Sequence, residues 1–138
     1  MKYTFLFLWC LSSFLLAGQN SHLALNWDTL AILSDGNSIN EHPGLAGAYS
    51  GIHNDALIVA GGANFPEGGV WEGGTKKFHD LIYVMEKIDG KLQRVDDGSF
   101  LLPFPLAYGA SVSSSIGLIG IGGNDASEAK DIVYLLSW

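Results

Sequence analysis

Leu57-Ile58-Val59-Ala60-Gly61-Gly62-Ala63-Asn64 returns 61 residues later as Leu118-Ile119-Gly120-Ile121-Gly122-Gly123-Asn124-Asp125. Working outward, Leu45-Ala46 falls on Leu106-Ala107 and Ser50 on Ser111 without a gap. Beyond Asn64 the second copy is shorter by ten residues, after which Asp80-Leu81-Ile82-Tyr83 falls on Asp131-Ile132-Val133-Tyr134. Two separate anchors in one register mark an internal repeat, and a repeat decides the architecture before any single motif does.

Each copy reads as a small-residue strand (Gly47 to Gly51; Ala107 to Val112), an apolar strand ending in Gly-Gly, a loop, and a strand containing Asp-x-x-Tyr. The first copy adds a fourth strand near Lys91 to Val95 after an Asp89-Gly90 turn, and His53-Asn54-Asp55 reads as the turn of the first hairpin. The expected class is all-β, with about two four-stranded antiparallel blades of kelch-type β-propeller character, the second incomplete. Paired glycines let backbone pass close at a strand end, and alternating apolar residues pack one blade on the next. The blades divide at residues 44–98 and 99–138. Residues 19–43 form a linker with a lone strand from Ala24 to Leu33, which includes Trp27 and suits a propeller that closes its ring with strands from both chain ends.

Residues 1–18 read as a signal peptide: Lys2 supplies one charge, Tyr3 to Ala17 is apolar, and Ala17-Gly18 precedes polar Gln19, Asn20 and Ser21. The apolar run is short for a bilayer span, which argues against a retained anchor. Export to the periplasm or cell surface is the expectation, with no stable membrane span once the leader is removed. Cys10, the single cysteine, lies in that leader, so a mature chain has no disulfide, no cysteine–zinc site and no thiol nucleophile. The chain of 138 residues carries a net charge of −7, and removing Lys2 leaves six basic against fourteen acidic side chains, a net charge of −8. That balance disfavours nucleic acid as a partner and requires a local basic site for any anionic substrate.

Three segments carry a more specific likeness. Gly44-Leu45-Ala46-Gly47-Ala48-Tyr49-Ser50-Gly51, Leu57 to Pro66, and Trp71-Glu72-Gly73-Gly74-Thr75-Lys76-Lys77-Phe78-His79-Asp80 resemble the cyclically permuted mutarotase family of kelch proteins, the N-acetylneuraminate epimerases. Pro105-Leu106-Ala107-Tyr108-Gly109 and Ile121-Gly122-Gly123-Asn124-Asp125 extend the likeness into the second copy. The resemblance implies a six-bladed propeller that interconverts the anomers of sialic acid, of which this sequence covers about the first third. It implies an isomerase with no cofactor.

Opening and reclosing a hemiketal ring needs one group to take the anomeric hydroxyl proton and another to protonate the ring oxygen. The insertion from Ala63 to His79 holds candidates for both on a blade loop. Glu72 suits an acid or base, and equally a solvated carboxylate. His79 titrates near neutrality, or orients the loop. Lys76 and Lys77 can meet a carboxylate, or be an exposed pair. Trp71 can cover an apolar sugar face, or pack between blades. Asn64 can bind sugar, or cap the Gly-Gly turn. The only arginine, Arg94, falls on an outer strand, away from a central pocket. His22, His42, His53 and His79 show no ligand spacing, so no metal is expected. The competing functional class is a secreted kelch module that binds glycan or protein without catalysis. Two blades with unpaired edges also predict self-association.

Overall fold

The computed structural model describes residues 25–31 and 44–138. The leader, Cys10, His22, His42 and part of the lone strand lie outside the described residues. Within that lone strand, residues 25–31 are exposed and adopt no strand.

The first repeat forms a four-stranded antiparallel sheet from β1 (Tyr49–His53), β2 (Ala56–Ala60), β5 (Ile82–Ile88) and β6 (Lys91–Arg94), in that spatial order. Between β2 and β5 the chain makes a small two-stranded ladder, β3 (Ala63–Asn64) with β4 (Lys77–Phe78), joined through a short 3-10 helix at Val70–Glu72. The second repeat gives a three-stranded antiparallel sheet from β7 (Ala110–Ser114), β8 (Gly117–Ile121) and β9 (Val133–Leu136).

Turn chemistry sets the hairpins. Asn54 and Asp55 have φ of 48° and 63°, and Asp89 and Gly90 have φ of 50° and 80°, the left-handed pairs that two-residue hairpin turns need. Such turns match the right-handed twist of the strands, and Asn, Asp and Gly enter this region at least cost. The first strand of each repeat begins later than the sequence suggests, at Tyr49 rather than Gly47 and at Ala110 rather than Ala107. Gly47 and Tyr108 have φ of 64° and 63°, which breaks the extended run before pairing starts.

The two sheets meet at their first strands. Ser111 Oγ accepts from the Ser50 amide at 3.1 Å and donates to the Ser50 carbonyl at 3.0 Å, while Ser113 Oγ accepts from the Ile52 amide at 2.8 Å. These bonds satisfy backbone groups on the edge of β1 that no further strand pairs.

The core lies between the sheets and includes Tyr49, Ala60, Leu102 and Leu106, with Ile82, Phe104, Ile132, Tyr134 and Leu136 packed around them. Tyr49 is fully buried, meets Tyr134 edge to face with centroids 5.3 Å apart, and donates its hydroxyl hydrogen to Gly122 O at 2.7 Å. A Cβ on Gly123 would collide with that hydroxyl, so the second glycine pair exists to admit a tyrosine from the neighbouring blade. Trp138 ties the second repeat to the first: its amide donates to His53 Nδ1 at the end of β1 at 2.9 Å and its indole to Glu86 Oε1 of β5 at 2.7 Å.

Candidate functional site

The Ala63 to His79 insertion closes on itself through backbone and side chain. Asn64 and Lys77 are ladder partners in β3 and β4. The His79 amide donates to Gly62 O at 2.9 Å, and its carbonyl accepts from the Leu106 amide at 3.1 Å. Its ring Nε2 lies 2.8 Å from Asn64 Oδ1. An amide oxygen only accepts, so Nε2 carries the proton of that bond. Asn64 therefore serves as a strand residue and as the acceptor for the ring. His79 is half-buried, and that burial, followed by the nearby charge of Lys77, holds its pKa below the ordinary imidazole value, against a smaller opposing pull from Asp80.

The second repeat uses the same construction with different chemistry. Counting back through the ten-residue deletion, Lys130 stands where His79 stands and Asp125 where Asn64 stands. Lys130 Nζ lies 2.8 Å from Asp125 Oδ2, and the Lys130 amide donates to Gly123 O at 2.8 Å. The Lys130 ammonium, the Ser127 hydroxyl and the amides of Ser127 and Glu128 hold the half-buried Asp125 carboxyl well below the usual carboxylate range. Blade one thus closes its loop with a titratable imidazole and blade two with a fixed ion pair.

At the tip of the first loop, Glu72 Oε2 accepts from the Gly69 amide at 2.9 Å, tying down the short 3-10 helix. Trp71 beside it is 87% exposed and packs against neither of the two sheets. The structure brings Asn64, Lys77 and His79 together at the loop's base, whereas the contacts of Trp71 and Glu72 are with the glycines at its tip.

Lys76 reaches across to the second blade. Its Nζ lies 5.0 Å from the ring centroid of Tyr108, 5.7 Å from Phe65 and 6.0 Å from Phe78. Phe78 and Tyr108 are themselves edge to face, with centroids 6.2 Å apart. Sequence alone does not single out Tyr108, which follows the Leu106-Ala107 repeat anchor within the Pro105-Leu106-Ala107-Tyr108-Gly109 motif. Its left-handed backbone, in a residue with a bulky ring, was the feature that could have marked it, and only the fold reveals it.

Tyr108 also forms one wall of an open cleft of about 530 Å³, completed by residues 123–129. A larger groove, about 620 Å³, runs between the sheets among Ile58, Val84, Phe100, Leu136 and Trp138, and its side chains are mainly apolar. Arg94 is on the outer strand β6, as expected, and its guanidinium is engaged by Asp96. Among the described residues no cluster of His, Cys, Asp or Glu is arranged to hold a metal ion, and no helix is long and apolar enough to cross a membrane.

Two antiparallel sheets related by a repeat, with Gly-Gly strand ends and a long loop closing on Asn64 and His79, can be compared with known proteins as a unit. A model of the N-acetylneuraminate epimerase family matches residues 15–138. The chain belongs to the N-acetylneuraminate epimerase family. The N-acetylneuraminate epimerase of Vibrio cholerae serotype O1 is 39% identical over 122 residues, covering 81% of this chain and 30% of that protein. The N-acetylneuraminate epimerase of Brucella suis is 34% identical over 125 residues, covering 83% and 31%. The solved structure of YjhT matches with a TM-score of 0.62 at 30% identity, over 86% of this chain and 33% of that chain. As a member of this epimerase family, the chain has the fold of kelch-type β-propeller blades, and it spans about a third of the length of these relatives.

Proposed function

We propose that this chain acts as a sialic-acid mutarotase, opening and reclosing the hemiketal of N-acetylneuraminate by acid and base catalysis after export to the periplasm or cell surface. The observation that carries the reading is His79: a half-buried imidazole with a lowered pKa, tethered to Asn64 within a loop of the epimerase family's first blade. An imidazole with a lowered pKa is in its neutral form at physiological pH and so is available as a base, and general acid–base catalysis contributes roughly 10²–10⁴-fold in rate. In this reading His79 is the acid–base group at the anomeric centre, and Glu72, at the loop tip, is the candidate for the second proton-transfer group. Asn64, Trp71, Lys76 and Lys77 bind the sugar. No cofactor is required, because ring opening moves only protons and an electron pair within the substrate.

The test is anomer exchange of N-acetylneuraminate followed by NMR, with the chain and with His79→Gln and Glu72→Gln. Acceleration over buffer that falls in both variants supports the proposal. Acceleration unchanged in both variants overturns the assigned roles.

The exposure of Trp71, at 87%, favours a second reading, a glycan-binding module without catalysis. It is distinguished by saturable sugar binding with no change in exchange rate.

A further inference from the structure

The contacts around Lys76 go beyond the choice between two adjacent lysines. A lysine side chain free in solvent loses much rotameric freedom when it binds an anion. Here three rings hold the ammonium in place before any ligand arrives: Phe65 and Phe78 from its own loop, and Tyr108 from the second blade. Aromatic faces attract a cation without neutralising it and without using its N–H donors. Arg94 and Lys130, by contrast, are paired with carboxylates, Asp96 and Asp125 with Glu128. Among the described residues no carboxylate pairs with Lys76, which is exposed. Tyr108 faces both ways: it borders the ammonium and forms the wall of the polar cleft that includes Asn124, Ser127 and Glu128. A ligand on the tyrosine would thus set an anionic group against Lys76 and hydroxyl groups against the cleft.

The geometry points to Lys76 as the cation that receives the carboxylate of an acidic sugar at the seam between the blades, with Tyr108 as the positioning residue that holds it there. This rests on the sialic-acid reading of the site and deepens it, selecting Lys76 over Lys77 and adding a residue from the second blade. Lys77 is a ladder residue of β4, and no ring contact holds its ammonium among the described residues.

The test compares binding of N-acetylneuraminate with that of its methyl ester, which keeps the polyol and loses the charge, by ligand-observed NMR titration of the full chain. The acid binds more tightly than the ester to the unaltered protein. Lys76→Met reduces that preference about tenfold or more, the scale of a charge-assisted hydrogen bond. Tyr108→Ala reduces it about threefold, the scale of one exposed cation–π contact, and Tyr108→Phe, which keeps the ring face, retains it. Lys91→Met, on the outer strand, serves as the charge control and leaves the preference intact. The assignment is overturned if the unaltered chain does not distinguish acid from ester, if Lys76→Met leaves the preference unchanged, or if only Lys77→Met abolishes it. Tyr108→Phe behaving like Tyr108→Ala overturns the positioning role. Anomer exchange on the same samples separates the two proposals: exchange without acid preference removes the Lys76 subsite alone, and acid preference without exchange removes the mutarotase reading alone.

Discussion

Nε2 of His79 lies 2.8 Å from Oδ1 of Asn64, at the two repeat positions that Lys130 and Asp125 occupy in the second blade. A contact common to both blades closes the loop between the second and third long strands of each. In the first blade that closing contact titrates.

The pKa of His79 is lowered in the fold, by burial first and by the charge of Lys77 second. Above its unfolded value of about 6.5 the ring is neutral in both states, and below it the unfolded chain takes up the proton first. Stability therefore falls as pH drops below about 6.5 and levels off once the pH is under the folded pKa. The imidazole resonances of His79 in an NMR titration should give a midpoint below 6.5, and His79→Gln should remove that part of the pH dependence in urea unfolding. A midpoint above 6.5 contradicts the burial account.

Ser111 and Ser50 are repeat counterparts, and the hydroxyl of one bonds both the amide and the carbonyl of the other. Ser111→Ala should cost about 1–2 kcal/mol in urea unfolding, because it unpairs two groups on a strand edge. No change in stability would mean that water replaces the hydroxyl without loss.

Gly123 has φ of 107°, and its open side is filled by the Tyr49 hydroxyl. Gly123→Ala combines backbone strain with a collision in the core, and about 3 kcal/mol of destabilisation is expected. Tyr49→Phe removes only the bond to Gly122 and should cost about 1 kcal/mol. Combining Gly123→Ala with Tyr49→Phe should recover part of the loss in denaturant unfolding.

The Asp96 side chain is fully buried. Burial raises its pKa, but bonds from Arg94 and from the amides of Val84 and Gly98 outweigh that and leave it below the ordinary value. Stability gained from the ionised form is present above the unfolded pKa of about 3.9 and is lost as pH falls through the folded value. Asp96→Asn should destabilise by about 2–3 kcal/mol and flatten the acid limb of the stability curve.

Much of the fold was legible because repeats and turns are local. Gly61-Gly62 and Gly122-Gly123 set the register, and Asn54-Asp55 and Asp89-Gly90 marked hairpins by residue types that tolerate positive φ. The starts of β1 and β7 were misplaced by two or three residues, since Gly47 and Tyr108 turn left-handed just where small residues suggest extension. The site was legible only as a loop. That Asn64 pairs with His79, and that Tyr108 crosses the blade seam to Lys76, depends on closure of the insertion and on blade packing. Neither leaves a periodic trace in the chain. Trp71 is a large apolar residue that reads equally as packing and as display, and its ring is exposed on these two sheets.

The most direct test of the central claim is the rate of anomer exchange of N-acetylneuraminate in the presence of the folded chain. The account predicts exchange faster than in buffer, declining as His79 becomes protonated at low pH and falling toward the buffer rate in His79→Gln. A folded chain that leaves exchange at the buffer rate across that pH range contradicts it.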